Sequence, residues 1–167
     1  MSAELVEEID ETGAVQRVVT RGEMRAKNLW HRTVAVLVQR LSGAVVVHQR
    51  ADWKDVHPAM WDVAFGGVPA VGEADQRAAQ RELLEEAGLL IEERQLIELG
   101  SISQASEQTK WVGRFYLMRT DAELYPVDGE VQQMVEIPLD DFAAWAAEAE
   151  LCPDVRPLIS AVQGWLG

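Results

Sequence analysis

The sequence predicts an α/β fold: a mixed central sheet with helices on both faces, forming a three-layer α/β/α sandwich in one domain of 167 residues. Three observations carry this. The run Thr33-Val-Ala-Val-Leu-Val38 is apolar almost without interruption, as expected of a strand covered on both faces. Short strand-like runs, separated by turn residues, lie on either side of one long amphipathic segment, residues 74–87. The chain then closes on two apolar helical segments within residues 140–166.

Each element has its own local reason. Residues 5–9 and 15–20 flank Asp10-Glu-Thr-Gly13, whose glycine can supply positive φ, so residues 4–20 read as a hairpin. Residues 21–29 are polar and read as a turn or short helix. After the strand 33–38, Leu41-Ser-Gly43 reads as a turn and residues 44–48 as the returning strand. Residues 52–59 form a loop carrying Trp53, Lys54, His57 and Pro58, and residues 61–65 a short strand that leads into Gly66-Gly67. The helix 74–87 is ended by Gly88. Residues 95–103 and 111–119 read as strands joined by the polar loop 104–110, and residues 129–138 contain another. Asp140 or Asp141 is placed to cap a helix over 142–150, and 153–166 reads as a terminal helix with Pro153 near its start.

Composition narrows the function classes. Apolar content of 48% and charged content of 26% are ordinary for a globular protein. The net charge of −13 argues against nucleic acid or an anionic membrane as partner, since both need a basic surface. No apolar run approaches the roughly 18 residues of a membrane span, and the acidic N-terminus lacks the features of a signal peptide. The single cysteine, Cys152, excludes an internal disulfide and fits a reducing compartment, so a cytoplasmic location is expected.

The helix 74–87 carries the chemistry. Glu82, Glu85 and Glu86 fall at i, i+3 and i+4, on one arc of it. Ala79, Leu83, Leu84 and Ala87 take the other side and are expected to pack on a core. Like charges so spaced repel, so a cation is expected among them. Three carboxylates suit a hard divalent ion such as Mg²⁺ or Mn²⁺. A solvated acidic face is the commoner fate of helix glutamates, but the surrounding residues weigh against it.

Gly67, Glu73, Arg81, Glu82, Leu83, Glu85, Glu86, Gly88 and Leu89 match G-x5-E-x7-R-E-U-x-E-E-x-G-U, with U aliphatic, without a mismatch. The segment 67–89 thus resembles the Nudix box; a chance match has a frequency on the order of 10⁻¹⁰ per window. The resemblance implies the Nudix sandwich fold and Mg²⁺-dependent cleavage of a phosphoanhydride bond in a nucleoside diphosphate linked to a group X, or a related diphosphate. It implies metal ligation by Glu82, Glu85 and Glu86, with a backbone carbonyl from Gly66 or Gly67. It also implies that Arg81 braces the glutamates through a bidentate pair, with Glu73 as its partner. The general base is either a box glutamate, Glu82, or a carboxylate from a later loop, Glu107 or Glu130. Dimers are common in the family, which leaves a homodimer open.

A second resemblance covers roughly residues 4–142. Leu29-Trp-His31, Val47-His-Gln-Arg50, Lys54, Pro58, Trp61 and Gly129-Glu-Val look like the isopentenyl-diphosphate isomerase branch of the superfamily. That branch needs a cysteine where this chain has Gly66, and a histidine where it has Val68. Met24, Thr109 and Trp111 also stand at positions where its metal site differs, leaving His31 and Glu86. The chain therefore reads as a hydrolase in an isomerase-like frame. Isomerase activity, or nucleotide sensing without catalysis, is the alternative. In that frame Arg50 and Lys54 align with cations that hold the diphosphate, against a reading as surface charge. His31 faces the site, against a reading as a hydrogen-bonded core residue. Trp53, in a polar loop, is a candidate for stacking on a base, while the other tryptophans fit packing roles.

Overall fold

The structure is a computed structural model and describes residues 3–167. Strands β1 (Leu5–Ile9) and β2 (Val15–Thr20) pair antiparallel and lead into helix α1 (Arg21–Ala26). Thr20 caps that helix, its side-chain oxygen accepting from the Glu23 N–H at 3.0 Å. Strand β3 (Trp30–Gln39) is the axis of the fold. It pairs in parallel with β8 (Lys110–Arg119) along its whole length, from Trp30 opposite Lys110 to Gln39 opposite Arg119. Antiparallel partners complete the mixed sheet: β4 (Val45–Arg50) and β6 (Phe65–Gly67) on β3, β7 (Ile97–Ala105) on β8, and β5 (Trp61–Asp62) and β9 (Val131–Ile137) on β4.

Alternation along β3 builds two cores. Val34, Val36 and Val38 face helix α2 (Asp75–Ala87), where they meet Phe65, Ala78, Ala79, Leu83 and Ala87. Leu37 faces the other way, toward α3 (Phe142–Glu148) and α4 (Ile159–Leu166), among Trp111, Phe115, Phe142 and Val162. Both faces are covered, which is why residues 34–38 of this strand are all apolar.

Several boundaries differ from the sequence expectation. The strand expected at 61–65 is two strands, β5 on β4 and β6 on β3. The break falls at Val63-Ala64, where the Asp62 carboxylate accepts from the Ala64 N–H at 3.1 Å and bends the chain. The polar loop 104–110 shortens to a turn at 106–109, tied by Ser106 Oγ, because β7 and β8 pair as far as Ala105 and Lys110. Neither Asp140 nor Asp141 makes a capping bond; a 3₁₀ turn, Leu139–Asp141, leads into α3 instead. The terminal helix starts at Ile159 rather than near Pro153, after a 3₁₀ turn holding Pro157. On α2 it is Ala78 that joins the core, while Leu84 is 40% exposed.

Candidate active site

Helix α2 lies against β6, and the two glycines of β6 are what allow it. A Cβ on Gly67 would stand 2.5 Å from Glu82 Oε1, so the Glu82 carboxylate rests directly over that residue. A Cβ on Gly66 would drive into the Val34 carbonyl of β3. The Gly66 N–H donates to Glu86 Oε2 at 2.9 Å, which ties the glutamate to the strand. Gly88 ends the helix at φ 66°, its N–H donating to the Leu83 and Leu84 carbonyls. The chain returning from β8 covers the same end. The Tyr125 N–H donates to Ala87 O, and the N–H groups of Val127 and Asp128 donate to Glu85 O. This return carries Asp128 and Glu130 to the site.

Arg81 holds the acidic cluster together. Its Nε and Nη2 donate to the two oxygens of Glu73 at 2.9 and 3.0 Å, a bidentate pair. Its Nη1 donates to Glu82 at 2.8 Å and to Glu85 at 3.4 Å. Beyond that bracing, the carboxylates are short of positive charge. Glu86 is 6% exposed, and burial, the neighbouring Glu82 and Asp62 push its pKa well above the ordinary carboxylate value. Burial also raises that of Glu82, against the lowering effect of Arg81.

Glu82, Glu85 and Glu86 form one wall of a cleft of about 400 Å³, with Asp128 and Glu130 beside them. Arg21, Arg25, Arg50 and Lys54 also line it. Lys54 pairs with Glu130 at 2.7 Å, Arg25 with Asp55 at 2.8 Å, and Arg50 Nε donates to the Val56 carbonyl at 3.1 Å. Carboxylates and cations face one cavity, as an anionic ligand held through a cation requires. Sequence reasoning missed Arg21, Arg25 and Asp128. Their only signal was the basic character of the 21–29 segment and the acidic Asp-Gly-Glu turn.

The remaining predicted residues sit elsewhere. Glu107 is exposed at the β7–β8 turn and does not line the cleft; its backbone carbonyl accepts from Asn28. Trp53 is 63% exposed, with Lys54 Nζ 5.7 Å from its ring centre, and also lies outside the lining. His31 is 9% exposed, with Nδ1 3.1 Å from the Leu29 carbonyl, and burial lowers its pKa. It lines a second cavity, of about 570 Å³. Cys152, remote from the box in sequence, lines that cavity too, and burial pushes its thiol pKa up.

The oxygen-only donor set of Glu82, Glu85, Glu86 and the Gly67 carbonyl fits a hard divalent cation. The mutually repelling Glu82 and Glu86, the first partly and the second fully buried, are the observation that calls for one. The Gly67 carbonyl accepts from Thr33 Oγ1 at 3.2 Å. Among the described residues, no three His, Cys, Asp or Glu side chains are already gathered closely enough to hold an ion. Glu85 is the most exposed of the three, its side chain 45% exposed and 3.4 Å from Arg81 Nη1.

Comparison with known proteins places this arrangement. Residues 29–160 match the NUDIX domain family. The chain is 29% identical to an uncharacterised Nudix hydrolase of Streptomyces coelicolor over 164 residues, covering 98% of this chain and 91% of that one. An uncharacterised Nudix hydrolase of Yersinia pestis is 37% identical over 86 residues, 52% of this chain and 47% of its own length. In fold, the chain resembles a Deinococcus radiodurans crystal structure, with a TM-score of 0.79 at 22% identity, covering 95% and 98% of the two chains. It also resembles the NUDIX domain of Shewanella oneidensis NrtR complexed with ADP ribose, with a TM-score of 0.66 at 16% identity and coverage of 89% and 100%. The chain belongs to the Nudix family, as a hydrolase of its pyrophosphohydrolase kind.

Proposed function

We propose that this chain is a Mg²⁺-dependent hydrolase of the phosphoanhydride bond in a nucleoside diphosphate linked to X, or a related diphosphate. The observation that carries the reading is the pair of carboxylates, the partly buried Glu82 and the buried Glu86, held over Gly66-Gly67 in a cleft whose lining also includes Arg50 and Lys54. Glu82, Glu85, Glu86 and the Gly67 carbonyl would hold the cation; Mn²⁺ suits the same oxygen set. Once bound, it neutralises phosphate oxygens and lowers the pKa of water. Arg50 and Lys54 bind the diphosphate as cations, with Arg21 and Arg25 extending the same lining. Arg81, which also lines the cleft, keeps Glu73 and Glu82 in place. Glu130, which lines the cleft, takes the proton of the attacking water. The family frame and the small-molecule diphosphate complex of the NrtR domain both support this substrate class.

The test is phosphate and pyrophosphate release from a panel of nucleotide and other diphosphates, with and without Mg²⁺, beside Glu86→Gln and Glu130→Gln. Metal-dependent turnover, abolished in Glu86→Gln and reduced in kcat but not KM in Glu130→Gln, is expected. Turnover insensitive to both substitutions overturns the proposal. One observation keeps the isomerase assay in view: Cys152 lines the cavity that Gly66 also borders. Conversion of isopentenyl to dimethylallyl diphosphate, lost in Cys152→Ala, would favour that reading instead.

A further inference from the structure

Helix α2 begins without a side-chain cap. Its N-cap residue is Ala74, which has no side-chain oxygen to offer the first turn. Where the helix begins matters to the site. Glu73, one residue before the cap, grips Arg81, and Arg81 in turn holds Glu82 and Glu85. Something other than a cap has to fix where Glu73 stands.

Arg32 of β3 does so. Its Nη1 donates at 2.7 Å to Oδ1 of Asp75, in the first turn of α2. Its Nη2 donates to the Glu73 carbonyl at 3.1 Å and to Glu7 Oε2 at 2.9 Å. Glu7, on β1, closes the ring, since its other oxygen accepts from the Gly72 N–H at 3.0 Å. One guanidinium thus ties the central strand to both sides of Ala74, and one carboxylate ties the hairpin to the turn before it. The Arg32 and Glu7 side chains are only 22% and 13% exposed, so salt and water screen these bonds little. Arg114 also approaches Asp75, but at 3.9 Å and with Glu98 as its nearer partner. A lysine at position 32 would keep the charge as a mobile point, whereas the planar fork of arginine fixes its acceptors in one arrangement.

We propose that Arg32 is a positioning residue of the active site: it sets the turn 72–75 so that Glu73 presents both carboxylate oxygens to Arg81, and through Arg81 it holds Glu82 over Gly67. Its effect on catalysis rests on the diphosphate hydrolase reading, whereas the bond it controls, between Arg81 and Glu73, is measurable without substrate or metal.

The test compares Arg32→Met with Arg32→Lys, which keeps the charge that Glu7 and Asp75 face and so protects the fold. On a diphosphate that the wild-type chain hydrolyses, both are expected to lower kcat about tenfold and to leave KM within about twofold. Arg81→Lys should absorb the effect. The double variant Arg32→Lys/Arg81→Lys is expected to fall about tenfold, the same as Arg81→Lys alone, rather than about a hundredfold, because both residues act on one carboxylate. Arg40→Met controls for stability alone. Arg40 follows the other end of β3 and likewise bridges a carboxylate, that of Glu136, and the carbonyls of Thr120 and Ala122. Its loss should lower Tm as Arg32→Met does and leave kcat unchanged. By NMR, the Arg81 Nε–H signal, identified by its loss in Arg81→Lys, should exchange with water at least about threefold faster in either Arg32 variant. Wild-type kcat in Arg32→Lys, a multiplicative fall in the double variant, a fall in Arg40→Met equal to that in Arg32→Met, or unchanged Arg81 exchange overturns the proposal. If the wild-type chain hydrolyses no diphosphate while the Arg81 signal still responds, the hydrolase reading itself fails, and the catalytic role of Arg32 falls with it.

Discussion

An alanine at position 67 would place its Cβ 2.5 Å from Glu82 Oε1 and 2.8 Å from Cδ. Ordinary contact begins at 3.4 Å, so the carboxylate must retreat by about 1 Å. Glu82 is the flexible end of a side chain and can move at little cost. Its destination is wrong, however, because the move carries it off the position shared with Glu86. A misplacement of about 1 Å in a catalytic constellation costs about 10²-fold in rate, equivalent to about 2.7 kcal/mol. We expect Gly67→Ala to lose about 10²-fold in kcat/KM for the diphosphate substrate while losing about 1 kcal/mol or less of stability, a Tm change of at most about 4 °C. Gly66→Ala is the contrasting control. Its Cβ meets the Val34 carbonyl and stands 2.9 Å from Ala35 Cα, and backbone paired in a central strand cannot yield cheaply. There we expect about 3 kcal/mol of destabilisation and a Tm lower by about 6–12 °C. Steady-state kinetics beside thermal unfolding of both variants separates the two effects. Gly67→Ala with kcat/KM within threefold of wild type would refute the placement of Glu82 as a working ligand. A Tm loss as large as that of Gly66→Ala would refute the argument that only a side chain has to move.

Arg81→Lys keeps the charge but loses the fork that grips both Glu73 oxygens; about a tenfold fall in kcat with a Tm lower by a few degrees is expected, and wild-type kinetics would show that charge alone suffices. In chelated protein, Glu86 binds its proton more tightly folded than unfolded, so stability falls as pH rises above about 4.5. Glu86→Gln should remove that slope and raise Tm at pH 8 in EDTA, while losing the Tm gain from added Mg²⁺; a Tm below wild type in EDTA would contradict it. His48, 2% exposed, stacks on Phe65 with ring centres 4.4 Å apart and leaves Nδ1 unpaired. Burial pushes its pKa down to about 3, so between about pH 6.5 and 3 the unfolded chain takes a proton that the folded chain refuses. Its contribution makes stability fall with pH in that window by up to about 1.4 kcal/mol per unit. Urea titrations of His48→Leu should show a shallower fall than wild type from pH 6.5 to 4, and parallel curves would show that His48 is not the group responsible.

The box helix and its end were legible because their signals are local. Glutamate spacing on a 3.6-residue period, a glycine at the left-handed position after Ala87, and the apolar run of β3 each follow from a few neighbouring residues. The hairpin of β1 and β2 was legible for the same reason, with boundaries at Leu5–Ile9 and Val15–Thr20. Spacing along one helix also placed Glu82, Glu85 and Glu86 on a common arc.

What surrounds them depended on contacts between distant segments. The sequence could not show that Gly66-Gly67 splits from Trp61-Asp62 to join β3, because that break is set by competition between two neighbouring strands. Nor could it show that Glu86 would be buried while Leu84 faced water, since the packing of α2 on the sheet decides which residues of the arc are covered. Lys54 and Glu130 lie 76 positions apart and meet only because β4 and β9 pair. Glu107, equally acidic in sequence, ends outside the cleft because β7 and β8 pair up to its turn. By itself, the sequence determined which residues could carry the chemistry, since side-chain type and helical period are local properties. The tertiary structure decided which of them share a cavity, because burial and charge pairing arise only when remote segments are brought together.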